Sequence, residues 1–142
     1  MNRPLYFLHI SDTHIRPDKD FEIYGRLPYQ NLERLVDAIR TLPTQFDFLV
    51  HTGDVTGDGE PEAYALVSNL LATIGVPIYY AAGNHDDPNR VRDLPMGDRA
   101  AVADGFASYT FDVENERFIV LHTHGPREEI GGSGRLPDGQ LD

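Results

Sequence analysis

Cysteine is absent from this chain of 142 residues, which excludes disulfides and any mechanism that needs a thiolate. Positive charge is scarce: 12 Lys and Arg stand against 23 Asp and Glu, for a formal net charge of −11. With no basic tract to neutralise successive phosphates, the composition argues against a general grip on a nucleic acid polymer. The same acidity is compatible with cation binding, because clustered carboxylates recruit cations and a bound cation reverses the local sign. Long apolar runs are missing too. The first, Leu5 to Ile10, is too short for the hydrophobic part of a signal peptide or for a membrane span, so no membrane association is expected and a cytoplasmic location follows by default. Internal repeats and low-complexity tracts are lacking, and a single domain over 1–142 accounts for the length.

What is present is a set of short apolar segments, each ending in a polar cluster. Leu5-Tyr6-Phe7-Leu8-His9-Ile10 precedes Asp12-Thr13-His14. Phe46 to Val50 precedes Gly53-Asp54-Val55-Thr56-Gly57-Asp58, and Pro77 to Ala81 precedes Gly83-Asn84-His85-Asp86. The three runs read as strands buried on both faces. Between the first two, Leu32, Leu35, Val36, Ile39 and Leu42 recur at helical spacing over Asn31 to Leu42. Between the second and third, Ala63, Leu66, Val67, Leu70, Leu71 and Ile74 form a broad stripe over Glu60 to Ile74, with Pro61 suited to a first turn and Gly75 to a stop. Strand, helix, strand, helix, strand implies a parallel sheet whose strands end at one edge. The three clusters then converge on one crevice, where open α/β sheets bind ligands. Their oxygen and nitrogen donors suit hard or borderline divalent metals.

In order and context, Ser11-Asp12-Thr13-His14, Thr52-Gly53-Asp54-Val55-Thr56-Gly57 and Ala82-Gly83-Asn84-His85-Asp86 resemble the calcineurin-like metallophosphoesterases, and among them the bacterial class III cyclic nucleotide phosphodiesterases. Tyr109 to Val113, Arg117 to Leu121 and Gly134 to Leu141 are similar to the family's later strands and its approach to the next helix. The resemblance implies an α/β fold, an αββα sandwich of which this chain is the N-terminal portion. It implies two divalent metal ions, with Mn, Fe and Zn the candidates. Asp12 and His14 would bind the first, Asp54 would bridge both, and Asn84 would bind the second through its amide oxygen. The implied reaction is hydrolysis of a phosphodiester, a cyclic nucleotide being one candidate, by metal-activated hydroxide, with His85 beside the substrate phosphate. The partner is then a small phosphate ester.

The chain also departs from the family, which supplies three further metal-binding histidines downstream. Without them the second metal keeps only Asp54 and Asn84 and is expected to be the weaker. A catalytically weak or inert metal- or nucleotide-binding module is therefore the competing reading. His122 and His124 are either replacement ligands or residues of a strand end and loop. A sheet lacking later strands would expose an apolar face, which suggests a truncated product, a homo-oligomer or a covering partner chain.

Several other residues have two readings. Tyr24, Arg26 and Tyr29 contact base or phosphate, or are ordinary loop and packing residues. Arg90 and Arg92 meet phosphate, or solvate a short surface helix. Asp58 and Asp86 orient a ligand, or are solvated turns. His51 supports the site from behind, or packs. His9 reads as a core or interface histidine. The stretches 16–28, 87–104 and 125–139 lack a sustained period and read as mobile loops.

Overall fold

A computed structural model of the chain describes residues 3–101 and 107–123. Strands β1 (Phe7–Ile10), β2 (Phe48–His51) and β3 (Ile78–Tyr80) pair in parallel with β2 in the centre. Phe7 is in register with Phe48, and Leu49 with Ile78. Parallel strands need long crossovers, and the two amphipathic helices provide them. Helix α1 (Pro28–Arg40) buries Tyr29, Leu32, Val36 and Ile39, and α2 (Pro61–Ala72) buries Ala63, Tyr64, Val67 and Leu71. Both pack against the face that carries Leu49, Ile78 and Tyr80.

Boundaries follow backbone chemistry. The first helix starts at Pro28, three residues before the expected Asn31, because proline's fixed φ suits a first turn. Its buried stripe begins a turn earlier, with Tyr29 joining Leu32, Val36 and Ile39 in the core, whereas Leu35 and, past the helix end, Leu42 are exposed. The second helix lies inside the expected Glu60 to Ile74, one residue shorter at its start and two at its end, with Glu60 before it, Thr73 after it and Gly75 at a φ of 83° in the stop.

Side chains alternate along a strand, so the opposite face of β2 and β3 presents Phe48, Val50 and Tyr79. An antiparallel sheet of β4 (Ala100–Ala101), β5 (Tyr109–Val113) and β6 (Glu116–Val120) covers it. Tyr79 stacks on Phe111 with ring centroids 3.5 Å apart, Phe111 stacks on Phe118 at 4.9 Å, and Phe48 meets Phe111 edge-on at 5.4 Å. Among the described residues, helices, parallel sheet and antiparallel sheet form three of the four layers of an αββα sandwich.

The strand predictions hold for β2 and β3 but not for β1, whose Phe7 and His9 are exposed although β3, which also flanks β2, is buried throughout. His9 is therefore not a core residue; its Nε2 meets the Thr52 hydroxyl at 2.8 Å. The second sheet covers β2 and β3 more fully than β1, and Tyr6, Phe7, Ile119 and Leu121 stay exposed. The 87–104 stretch is not wholly loop. It holds the short helix α3 (Pro88–Arg92), started by the Asp87 carboxylate accepting from the Asn89 N–H at 2.9 Å, and strand β4. One and a half helical turns are too few to show a period. No described helix is long and apolar enough to cross a membrane. The 125–139 stretch lies outside the described residues.

Candidate metal centre

The turns after the three strands are stitched together by their backbones. Asp12 N–H donates to Gly53 O at 3.0 Å, His14 N–H to Asp54 O at 3.0 Å, and Ile15 N–H to Val55 O at 3.2 Å. This pairing requires unusual backbone conformations: Asp12, His14 and Asp54 have φ of 56°, 46° and 49°. Left-handed conformations at non-glycine residues cost about 1 kcal/mol or more each and concentrate at functional sites. The third turn comes closer still. A Cβ on Gly53 would lie 2.9 Å from Gly83 Cα, and one on Gly83 would run into the Asp54 carboxylate. Two glycines back to back are what allow the second and third clusters to meet.

The result is a compact donor set. Ligand atoms of His14, Asp54 and His85 all lie within 4.8 Å of one another, each side chain half-buried. His14 Nε2 is 3.7 Å from Asp54 Oδ2 and 3.9 Å from Asp12 Oδ1. The His14 and His85 rings meet edge-on, 4.9 Å between centroids. The Asp12 carboxylate is more open to solvent, and Asn84 is exposed beside His85 on the third turn. The expected set thus divides: His14 and Asp54 lie together, Asp12 borders them, and His85, expected to serve the substrate, sits within the same cluster of donors.

Two carboxylates beside two imidazoles form a donor set suited to a divalent cation. Hydrogen bonds aim it. The His85 backbone N–H donates to Asp54 Oδ1 at 3.0 Å, which leaves Oδ2 on the side of His14. His85 Nδ1 lies 2.8 Å from Gly57 O, and a carbonyl only accepts, so Nδ1 carries a proton and Nε2 is the nitrogen left to exchange one or to meet a cation. Arg16, which could otherwise oppose a cation, pairs with Asp58 and with Glu60, the latter at 2.8 Å.

Two supports sit behind the donors. The Asp86 carboxylate is buried and accepts from the backbone N–H of Val55, Thr56 and Gly83 and from the hydroxyls of Thr56 and Tyr64, at 2.9 to 3.4 Å. It neither solvates a turn nor orients a ligand; it ties the second and third turns to α2. Burial raises the Tyr64 phenol pKa, keeping that hydroxyl protonated to donate. The second support is His51, fully buried at the end of β2. The Thr13 hydroxyl donates to Val55 O at 2.8 Å, so His51 Nε2, 2.9 Å from Thr13 Oγ1, must be the N–H that donates to that hydroxyl oxygen. Burial holds the His51 pKa down to about 4, so it stands as a neutral prop beneath the turn between Asp12 and His14. Of its two readings, support from behind is the one the hydrogen bonds favour. The Gly57 carbonyl and the direction of Asp86 had no signal in spacing, because backbone acceptors and inward-pointing carboxylates look like any turn in sequence.

The remaining candidates separate cleanly. Tyr24 and Arg26 line a cleft of about 610 Å³ that Asp12, His14 and His85 also border. Tyr29 is buried in the core. Arg90 and Arg92 pair with Asp87 and Asp93 on α3, both at 3.5 Å, and do not line the cleft. Asp58 tethers Arg16. His122 is buried where its N–H donates to Ser108 Oγ at 2.8 Å, outside the donor cluster. His124 lies outside the described residues.

Comparison with known proteins agrees with this architecture. The sequence profile of the family described as calcineurin-like phosphoesterase matches residues 5–138. A probable cyclic nucleotide phosphodiesterase of Rhodococcus erythropolis is 33% identical over 99% of this chain and 46% of its own length. A 3′,5′-cyclic adenosine monophosphate phosphodiesterase of Pseudomonas aeruginosa is 29% identical over 95% and 46%. A cAMP/cGMP dual specificity phosphodiesterase of Mycobacterium tuberculosis is 32% identical over 91% and 42%. The chain spans less than half the length of these relatives, and it belongs to the calcineurin-like phosphoesterase family.

Proposed function

We propose that this calcineurin-like phosphoesterase hydrolyses small phosphodiesters, cyclic nucleotides among them, with the aid of divalent cations. Asp12, His14, Asp54 and Asn84 would hold the ions, drawn from Mn, Fe or Zn, and His85 would serve the substrate phosphate. A cytoplasmic location belongs to the same proposal. The observation that carries it is the meeting of His14, Asp54 and His85 donor atoms within 4.8 Å at the ends of three parallel strands. When bound, such cations act as Lewis acids on a phosphoryl oxygen and bring the pKa of coordinated water near neutrality.

The chain's own residues have distinct tasks. Asp54 has one oxygen committed to the His85 N–H and the other turned to His14, so its direction is set before any ion arrives. With Nδ1 committed to Gly57 O, His85 exchanges protons at Nε2 alone. In-line attack of water oxygen on phosphorus breaks the ester P–O bond. The departing alkoxide takes a proton, which His85 in its imidazolium form would give from Nε2, returning to neutral imidazole. Names of the relatives support a cyclic nucleotide as substrate, and the cleft of about 610 Å³ is of a size that takes one.

Metal analysis, followed by hydrolysis of bis(p-nitrophenyl) phosphate and 3′,5′-cyclic AMP with added Mn²⁺, tests the proposal. Asp54→Ala should abolish both metal loading and turnover. A parent protein that loads metal yet hydrolyses neither ester would be a binding module instead. One that loads no metal would overturn the site itself.

A further inference from the structure

The turn that carries Asp12 and His14 is held by a side chain that is not one of the donors. Asp12 and His14 lie in the left-handed region, at φ of 56° and 46°, and Thr13 stands between them. Either residue, if released, would relax toward ordinary backbone and carry its side chain away from Asp54. Something must hold the turn against that strain.

The Thr13 hydroxyl is placed to do so. It donates to Val55 O at 2.8 Å and accepts the His51 Nε2–H at 2.9 Å, so its one proton and one of its lone pairs are both committed. Val55 follows Asp54 directly, and its carbonyl also takes the Ile15 N–H at 3.2 Å. The Val55 N–H donates in turn to Asp86 Oδ2 at 3.1 Å, the same oxygen that accepts from the Gly83 N–H at 2.9 Å. A path through His51, Thr13, Val55 and Asp86 therefore joins all three turns, and Thr13 is its one member on the first. His51, fully buried at the end of β2, anchors the far end. Packing does not account for the hydroxyl, because valine would fill the same half-buried space without it. Two hydrogen bonds are of the order needed to offset the strain of the turn.

We infer that Thr13 is a positioning residue for the metal centre: its hydroxyl, oriented by His51, locks the strained turn so that Asp12 and His14 stand with Asp54 before an ion arrives. The inference rests on the metal-centre reading and adds to it a residue that acts through its two neighbours. Thr13 takes no part in bond breaking. Its effect is on how tightly the folded protein holds a cation.

Calorimetric titration with Mn²⁺, on protein whose folded fraction is fixed by circular dichroism, tests this. Thr13→Val should weaken Mn²⁺ binding roughly ten-fold or more, as loss of a partner behind a ligand does, and Thr13→Ser should restore it. His51→Leu should weaken it too. Thr13→Val and His51→Leu together should bind no more weakly than Thr13→Val alone, because both cut one path. If Thr13→Val does not fold, His51→Leu against His51→Gln, which keeps an N–H, carries the same test: only the first should weaken Mn²⁺, and equal affinities overturn the inference. It is also overturned if Thr13→Val loses stability yet binds Mn²⁺ as the parent does, if Thr13→Ser binds as weakly as Thr13→Val, or if the two losses add. A parent that binds no Mn²⁺ removes the metal-centre reading along with it.

Discussion

The carboxyl edge of the parallel sheet and the layer between the two sheets are built from the same strands and obey different rules. Between the sheets, Phe48, Tyr79, Phe111 and Phe118 meet through ring faces and edges, contacts that give area and little direction. At the edge, Asp86, His51, Thr13 and the Gly57 carbonyl act through hydrogen bonds, each with one permitted donor and one acceptor. Non-glycine residues in left-handed conformations cluster there, at Asp12, His14 and Asp54. Stability and site geometry are therefore separable: the aromatic layer supplies the first, and the edge uses some of it to hold three donors in place.

The largest effect expected is on the aromatic layer. Phe111→Ala should cost about 4 kcal/mol of stability, as buried Phe truncations do, while the protein that remains folded binds Mn²⁺ as the parent does. Urea unfolding paired with metal titration reads both; a metal affinity that falls with stability would erase the distinction.

The next probe is pH. His51 has a pKa of about 4 in the folded protein against an ordinary 6.5, so between those values the unfolded chain binds a proton that the native one refuses. Stability contributed by the neutral ring is complete above pH 6.5 and is lost as pH falls toward 4, by about 3 kcal/mol in all. Unfolding curves of the parent and of His51→Gln should diverge in slope across that window. Parallel curves would mean that His51 is protonated without penalty.

The smallest stability change is expected at Gly83. Its Cβ would enter the Asp54 carboxylate, so Gly83→Ala should cost about 2 kcal/mol of stability, yet reduce Mn²⁺ affinity by more than Phe111→Ala does. Equal losses of metal binding in the two variants would show that the edge has no special role.

Much of this was legible from residues alone. The parallel order, both crossover helices and the convergence of Asp12, His14, Asp54 and His85 follow from apolar runs ending in polar clusters. The exposure of β1 was not legible, because Leu5 to Ile10 is as apolar as the runs that form β2 and β3 and only packing shows which strand is left uncovered. Helix α3 escaped because five residues carry no period. Tyr24 and Tyr29 looked alike in sequence; burial separates them into a rim residue and a core residue.

Periodicity and donor chemistry are local, so the sequence by itself determined the alternation of strand and helix, the family, and which side chains could ligate a cation. Direction is not local. That Asp86 points inward to gather five hydrogen bonds while Asp54 faces His14, and that Gly57 offers His85 its carbonyl, was decided only when the three turns packed together. A carboxylate or carbonyl becomes a prop or a ligand according to which neighbours fill its lone pairs, and those neighbours come from distant parts of the chain.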